Sequence, residues 1–516
     1  MSVIAAGNVV ALSKQNLYKD SVALMRITER LLGLEGIRRA TLVMGTGANK
    51  EILAEARMLP AELQPCGPGD LLIVIESDTR AQGEIALAQA ERALLGEAPP
   101  AGGTALGGTG TAPAVRALAQ GFARAPDAGL VQISVPGPYA AAEAMKALRH
   151  GCHVFLFSDN VPLSEECALK ALAVRKGLLV MGPDCGTTIL NGVPLGFANA
   201  VRRGSIGIVA ASGTGLQEAS VQIHLAGAGV SHAIGTGGRD ISAAVGGATM
   251  LQAIDLLGAD PGTRVILVVS KPPSLEVSAR IIERLLRIAK PAVVLFIGAR
   301  LEPVPGIWIT TTLADAVRQA IKLADLPLPA LEDRVPPRPS FVASQKYIRA
   351  LYSGGTFCYE AQAIWRDAGL PVWSNAPLDD ARALSDPMHS IEHTAIDLGD
   401  DRFTVGRPHP MIDPSMRIER LRAEARDKAV AVILLDVVLG YGSHEDPAGA
   451  LVPAIRDARL EAAREGRSLA FVVFVCGTDD DPQQRTAQVR SLRDAGALVF
   501  PSSTDAARAA LRLVSP

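Results

Sequence analysis

Three glycine-bearing turns hold the residues whose types and spacing could do chemistry. In SGTGLQE, Ser212, Gly213, Thr214 and Gly215 follow the β-branched run SIGIVAAS and precede a segment that reads as an amphipathic helix. The first N–H groups of a helix lack intrahelical acceptors and sit at the positive end of its dipole, so such a turn is a ready anion seat. Gly213 and Gly215 allow close backbone approach, while Ser212 and Thr214 add hydroxyl donors. The turn is not a dinucleotide fingerprint, because Glu218 stands where the third glycine of G-x-G-x-x-G would be. Nor is it a Walker A loop, since no Lys-Ser/Thr follows. The plain alternative is a tight strand-to-helix turn with an N-cap serine.

A second turn of the same form, Gly440, Tyr441, Gly442 and Ser443, follows AVAVILLDVVLG and precedes a helix capped by Ser443 or Asp446. His444 beside it is either a donor to substrate or an exposed loop histidine. A third turn, VMGPDCGTTILNG (180–192), offers Asp184, Cys185, Gly186, Thr187 and Thr188 after a strand, the first four as substrate-binding candidates. Cys185 is a nucleophile or a packed thiol, and no His–Cys pair supports the first. Arg402 and Arg407 either grip a carboxylate or pair with Asp400, Asp401 and Asp413.

The elements that must position these turns are legible as short Val/Ile/Leu runs alternating with Ala/Arg/Glu/Leu-rich helical segments. The runs are TLVMG, DLLIVIE, LVQISV, HVFLFS, LLVMGP, SIGIVAAS, RVILVVS, PAVVLFIG, IRALYSG, AVAVILLDVVLG, LAFVVFVCG and ALVFPSS. Continuous apolar strands separated by helices are how parallel sheets buried on both faces read, so the fold class is α/β with several Rossmann-like or flavodoxin-like domains. A chain of 516 residues is expected to hold roughly three to five domains. Linker-like composition at 96–114 and 326–340 divides it into 1–97, 113–202, 203–328 and 340–516. The last part reads as a small lead-in domain before a flavodoxin-like unit starting near residue 425.

A net charge of −2 argues against nucleic acid or an anionic membrane as partner. The six cysteines are scattered without a C-x-x-C pair, which points to a reducing compartment and no zinc site. No secretion signal and no stretch of about 18 apolar residues is present, so the expected location is the cytoplasm.

The block MGPDCGTTILNGVPLGFANAVRRGSIGIVAASGTGLQEAS resembles the α-subunit of succinyl-CoA ligases, in which a GPNC turn precedes a strand and a serine-rich turn opening a so-called power helix. ISVPGPYAAAEAMKAL (133–148) and FLFSDNVPLSEECALK (155–170) are similar to that subunit's CoA-domain segments. From about residue 390 the chain resembles the ligase β-subunit's C-terminal domain, where a second power helix follows a strand. No ATP-grasp domain accompanies them. With KEILAEARML near the N-terminus, essentially the whole chain resembles FdrA proteins.

The resemblance also exposes departures. Ligases of this kind carry phosphate on a histidine in the loop after the strand that here reads PAVVLFIG, yet residues 290–325 contain no histidine. In SKPP (270–273), Lys271 stands where the ligases have the glutamate that holds the phosphohistidine. A bare phosphoryl dianion prefers an ammonium, so the two losses are coherent; a solvated loop lysine is the plain alternative.

FdrA proteins are similar to a subunit of the oxamate carbamoyltransferase of allantoin catabolism. That implies interconversion of carbamoyl phosphate and oxamate with oxalurate and phosphate, alongside partner subunits in a homo- or hetero-oligomer. In that reading the Ser212–Gly215 and Gly440–Ser443 turns hold phosphate, Lys271 offsets the leaving group's charge, and no cofactor or covalent enzyme intermediate is required. An acyl-CoA synthetase retaining its CoA site is the alternative. Against it, MGTGANK (44–50) is the nearest glycine turn to the one that opens the ligase CoA fold, and it stands elsewhere. A non-catalytic scaffold subunit is a third reading.

Overall fold

The computed structural model describes residues 4–95 apart from 7, 16, 18, 20 and 68, then 115, 117–328, 339–404 and 408–515. Both expected linkers lie largely outside these residues, as does Arg407. The described chain falls into two units, one formed by the first 123 residues with 405–408, the other by the rest.

In the first unit, strands Ile4–Ala6, Val9–Lys14, Leu71–Ser77 and Ile37–Met44 lie side by side in that order, and all pair antiparallel. The parallel sheet expected here is corrected, and the reason is physical. One face of Leu71–Ile75 packs on helices Ser21–Leu32 and Arg80–Leu95 through Leu24, Leu31, Ala86 and Ala90. The other packs on Leu53, Met58 and Leu63. A strand covered on both faces is apolar throughout whichever way its neighbours run.

The second unit holds three sheets. Leu130–Ile133, His153–Leu156 and Val180–Met181 form a short parallel sheet. The seven-stranded sheet runs Ile307–Ile309, Ala292–Phe296, Val265–Ser270, Arg203–Ala210, Val230–Gly235, then the hairpin Thr187–Leu190 and Val193–Gly196; it is parallel up to the hairpin. That hairpin belongs to this sheet, so the expected boundary at 202 cuts through it. The six-stranded sheet is wholly parallel: Trp373–Ser374, Thr394–Asp397, Tyr347–Tyr352, Val430–Val438, Ala470–Cys476 and Leu498–Phe500. Its strand Tyr347–Tyr352 lies in the interior, so no lead-in domain precedes residue 425.

Each large sheet has one place where the strand order reverses. In the seven-stranded sheet Arg203–Ala210 lies between the next two strands in sequence, Val230–Gly235 and Val265–Ser270. In the six-stranded sheet Tyr347–Tyr352 lies between Thr394–Asp397 and Val430–Val438. Chains leave such strands toward opposite faces, opening a crevice at the carboxyl end where ligands bind in open α/β sheets. Residues 212–215 and 353–356 occupy those two carboxyl ends.

Helix Gly213–Leu225 is not amphipathic as expected: Thr214 through Val221 are buried all round. Two of its polar members bridge to other elements. Gln217 donates to Asn199 Oδ1 at 3.3 Å, and Glu218 accepts the N–H of Ser503 at 3.0 Å. A helix buried on every side is held by two layers at once, and this one joins the two large sheets.

Candidate functional site

Strand Arg203–Ala210 delivers Ser212 as an extended N-cap, whose Oγ accepts the N–H of Gly215 at 3.0 Å. This satisfies one orphan donor and leaves the N–H groups of Gly213 and Thr214 directed at the space beyond the helix end. Thr214 is 7% exposed, and its hydroxyl has no hydrogen-bond partner among the described residues.

The helix end that meets this one follows Tyr347–Tyr352. Ser353 donates its N–H to Asp436 Oδ1 at 3.0 Å and its hydroxyl to Oδ2, and Arg417 braces the same carboxylate at 2.7 Å. That buried trio fixes Gly354 as the N-cap of helix Gly355–Asp367. The two ends touch. Ser212 Oγ hydrogen-bonds to Thr356 Oγ1, a Cβ on Gly354 would overlap Thr214, and one on Gly215 would lie 2.9 Å from Thr356 Cγ2. Two helix N-termini, each carrying roughly half a positive charge, are thus held against each other, an arrangement that favours an anion.

Titratable groups border the same region. Lys271 is exposed in the turn after Val265–Ser270. Its charge reaches both Asp184 and Asp397, opposing the upward shift of each. Burial, then Asp159 and Asp401, push the Asp184 carboxyl up to about 7. Burial, with Asp400 and Asp436 behind it, pushes Asp397 up to about 7 against a hydrogen bond from the Gly399 N–H at 3.0 Å. Asp184 is nonetheless exposed and Asp397 partly so. Groups crowded by protein yet reached by solvent line a cleft: the open edge gives access and the crowding sets the shift. Asp397 Oδ2 lies where a Cβ on Gly355 would come within 2.8 Å, at the mouth of the second helix.

Other predicted residues fall elsewhere. The Gly440–Ser443 turn does not supply the second helix end. Gly440 and Gly442 pack against Ala198 O and the Phe197 ring, Tyr441 N–H donates to Ala198 O at 2.9 Å, and the helix that follows starts at Pro447 under an Asp446 cap. Ser443 is buried with its hydroxyl unpartnered. His444 accepts the Asp446 N–H at Nδ1 (3.0 Å) and lines a small cavity with Ser353 and Arg417. Cys185 is fully packed against Thr187 and Thr188, and burial pushes its thiol up to about 11, so it is neither nucleophile nor substrate contact. Thr187 spends its hydroxyl on Phe197 O at 2.7 Å, and Gly186 O accepts the Phe197 N–H at 2.7 Å. These two brace Phe197, while the Thr187 hydroxyl also lies 3.5 Å from where a Cβ on Gly213 would stand. Arg402 pairs with Asp400 at 2.9 Å.

The reading of the sequence missed Gly354, Gly355, Thr356, Asp397 and His409. The Gly-Gly step had a signal, since YSGGTFCYEA repeats the strand–glycine–helix form of SGTGLQE. Asp397 and His409 had none.

Comparison with known proteins follows the same division of the chain. Residues 351–513 match the CoA-ligase family, and residues 8–107 match the AllF heavy metal-associated domain. Residues 1–123 hold one cysteine, Cys66, and no histidine. No group of three His, Cys, Asp or Glu side chains suited to an ion occurs among the described residues, so this donor set does not fit a soft metal. No helix among them is long and apolar enough to cross a membrane.

An acetyl-coenzyme A synthetase of Ca. Korarchaeum cryptofilum, solved with phosphate and ADP, overlaps 74% of this chain and 82% of its own at 16% identity and a TM-score of 0.32. The ADP-forming succinate–CoA ligase subunit alpha of Methanothermobacter thermautotrophicus is 26% identical over 252 residues, 46% of this chain and 82% of that subunit. The uncharacterized protein YahF of Escherichia coli (strain K12) is 44% identical over 501 residues, 95% of this chain and 96% of YahF. At that identity and coverage the chain belongs to the family of YahF, with an AllF-type domain toward its N-terminus and a CoA-ligase domain toward its C-terminus.

Proposed function

We propose that this chain is the phosphate-handling subunit of a carbamoyltransferase, working with partner subunits between carbamoyl phosphate and oxamate on one side and oxalurate and phosphate on the other. The observation that carries the reading is the convergence of the Ser212 and Gly354 helix ends, with the charge of Lys271 reaching Asp397 at the mouth of the second. The AllF-type domain agrees with the resemblance from which the carbamoyl chemistry is taken. The loop at 298–312 has no histidine to carry phosphate, which speaks against a phosphohistidine ligase.

In this reading the phosphate lies at the two helix ends, with Lys271 offsetting its charge. The amide nitrogen of oxamate attacks the carbamoyl carbon, a C–N bond forms, and the C–O bond to phosphate breaks. One N–H proton is lost from nitrogen and one is gained by the departing phosphate, so the charges balance. Asp397, with its pKa near 7, is matched to carrying that proton. Asp184, also pushed up to about 7 and also reached by the charge of Lys271, adjusts the charge of the site as phosphate enters.

A second reading, an acyl-CoA synthetase, is favoured by the CoA-ligase match and the succinate–CoA ligase relative. It needs a seat for CoA. In residues 117–181 the described sheet starts at Leu130, with no strand–glycine turn ahead of it to cradle the nucleotide end. The third reading, a non-catalytic scaffold, keeps the phosphate seat without turnover.

The deciding experiment supplies the protein, with and without the proteins encoded beside it, with carbamoyl phosphate plus oxamate, and separately with CoA plus an acyl phosphate. Oxalurate formed only with partners present is the expected result. Acyl-CoA formation would replace the first reading by the second; phosphate binding without turnover in any mixture would leave the scaffold.

A further inference from the structure

His409 follows the proline at 408, and its surroundings are specific. Its Nδ1 accepts the N–H of Met411 at 3.2 Å. An acceptor nitrogen carries no proton, so the neutral ring must carry its hydrogen on Nε2. Nε2 has no partner among the described residues. It points at Gly399, where a Cβ would come within 2.7 Å of it, 2.8 Å of the Ser353 carbonyl oxygen and 3.2 Å of Asp397 Oδ1. The ring packs on Phe197, with centroids 6.1 Å apart, and the side chain keeps a partly exposed edge. Burial pushes His409 down to about 4 against the opposing charge of Asp436, in agreement with a ring that stays neutral.

We infer that His409 is a neutral hydrogen-bond donor, through Nε2–H, to the carbonyl oxygen of the carbamoyl or acyl group being transferred. With no side chain at 399, the Nε2 donor, the Ser353 carbonyl and the Asp397 carboxyl crowd one backbone position, so a substrate carbonyl would reach the donor from the partly exposed edge of the ring. The donor draws electrons from the carbonyl as nitrogen attacks, and Asp397 takes the N–H proton. Nothing is oxidised or reduced, and the proton leaves with the phosphate. A neutral donor suits this place better than an imidazolium, which would pair with Asp397 and remove the base. The inference rests on the phosphate seat proposed above and deepens it by placing the carbonyl relative to the phosphate.

The test is histidine-selective and backbone amide NMR on the full chain. Inorganic phosphate should shift the Gly213, Thr214 and Gly215 amides and leave the His409 Nε2–H where it is. Carbamoyl phosphate or acetyl phosphate should shift both. In a parallel titration, His409→Phe should lose about 3- to 10-fold in carbamoyl phosphate affinity, the scale of one neutral hydrogen bond, with phosphate affinity unchanged. His409→Gln, whose amide reaches a similar point, should recover most of it. Amide shifts without any response of Nε2–H, or a proton found on Nδ1, would overturn the role of His409 while leaving the seat standing. Absence of amide shifts with every ligand would remove the seat and the inference together.

Discussion

The turns at Ser212 and at Gly440 are alike in sequence and opposite in use. Each follows a parallel strand buried at its carboxyl end, has two glycines one residue apart and carries a serine. At Ser212 the glycines bring one helix end against another and leave a hydroxyl on Thr214 without a partner. At Gly440 they bring the chain against Ala198 and Phe197, and Asn199 Nδ2 and Gln483 saturate the backbone at Leu439 and Gly440. Both glycine pairs permit close approach, the first to another helix end and the second to Ala198 and Phe197. The difference lies in the sheets: Arg203–Ala210 is where its sheet reverses order, while Val430–Val438 has its next strand, Ala470–Cys476, on one side and closes over its own turn. Position in the strand order, rather than glycine content, decides which turn can meet a ligand.

Substitutions at the two turns break or sharpen this contrast. Gly354→Val forces a side chain into Thr214; it is expected to cost about 1–3 kcal/mol of stability and to abolish phosphate binding in calorimetry. Gly442→Ala, at φ 85° and 2.8 Å from the Phe197 ring, should also lower the melting temperature, yet leave phosphate affinity intact. Equal loss of binding in both would erase the distinction.

Next in size is Lys271. Lys271→Ala and Lys271→Met should each weaken phosphate or carbamoyl phosphate binding roughly 10- to 100-fold, the scale of a charge-assisted contact, with little change in melting temperature. Equal affinities in all three proteins would leave only the helix ends.

The cleft carboxyls predict a pH dependence that the closed turn does not share. Asp184 and Asp397 hold their protons up to about 7 in the fold, whereas an unfolded aspartate releases its proton near about 4. Between those values the two carboxyls bind more protons in the folded chain than in the unfolded one, so their contribution to the stability of the ligand-free protein should fall as pH rises through that window and level off above it, while His393 and His409, pushed down to about 4, act in the opposite sense. The double variant Asp184→Asn, Asp397→Asn should remove that contribution, leaving those of the other shifted groups, among them buried Glu218, also pushed up to about 7. Melting curves at pH 5 and pH 8 decide it; an undiminished slope in the double variant would mean these carboxyls are ordinary.

The smallest effects come from the two orphan hydroxyls. Thr214→Val keeps the shape and should lower phosphate affinity about 3- to 10-fold, with stability unchanged. Ser443→Ala removes a buried unpartnered hydroxyl and should raise stability slightly, by up to about 1 kcal/mol, without touching affinity. If Ser443→Ala weakens binding more than Thr214→Val does, the two turns have been assigned the wrong way round.

Much of the fold was legible because apolar runs mark buried strands, and all twelve runs coincide with strands. Val230–Gly235 and Thr394–Asp397 were not, because both are short and His232 breaks the apolar run of the first while Asp397 ends the second. The Ser212 turn and Asp184 could be read locally. The partner helix end at Gly354 repeated a recognised pattern, but expecting a separate small domain there hid it. Asp397 and His409 become site residues only through juxtaposition. An aspartate ending a strand and a histidine between two prolines carry no local sign of a shared glycine at 399.

Ser212 and Thr356 are 144 residues apart, Asn199 and Asp481 282, and Glu218 and Ser503 285. Contacts of such high order pay their loop-closure entropy late in folding, after each parallel sheet has formed from nearer neighbours. The seat between the two helix ends therefore becomes competent only when the last long-range contacts close. An anion bound there would report completion of the whole unit, and would stabilise only chains that have reached it.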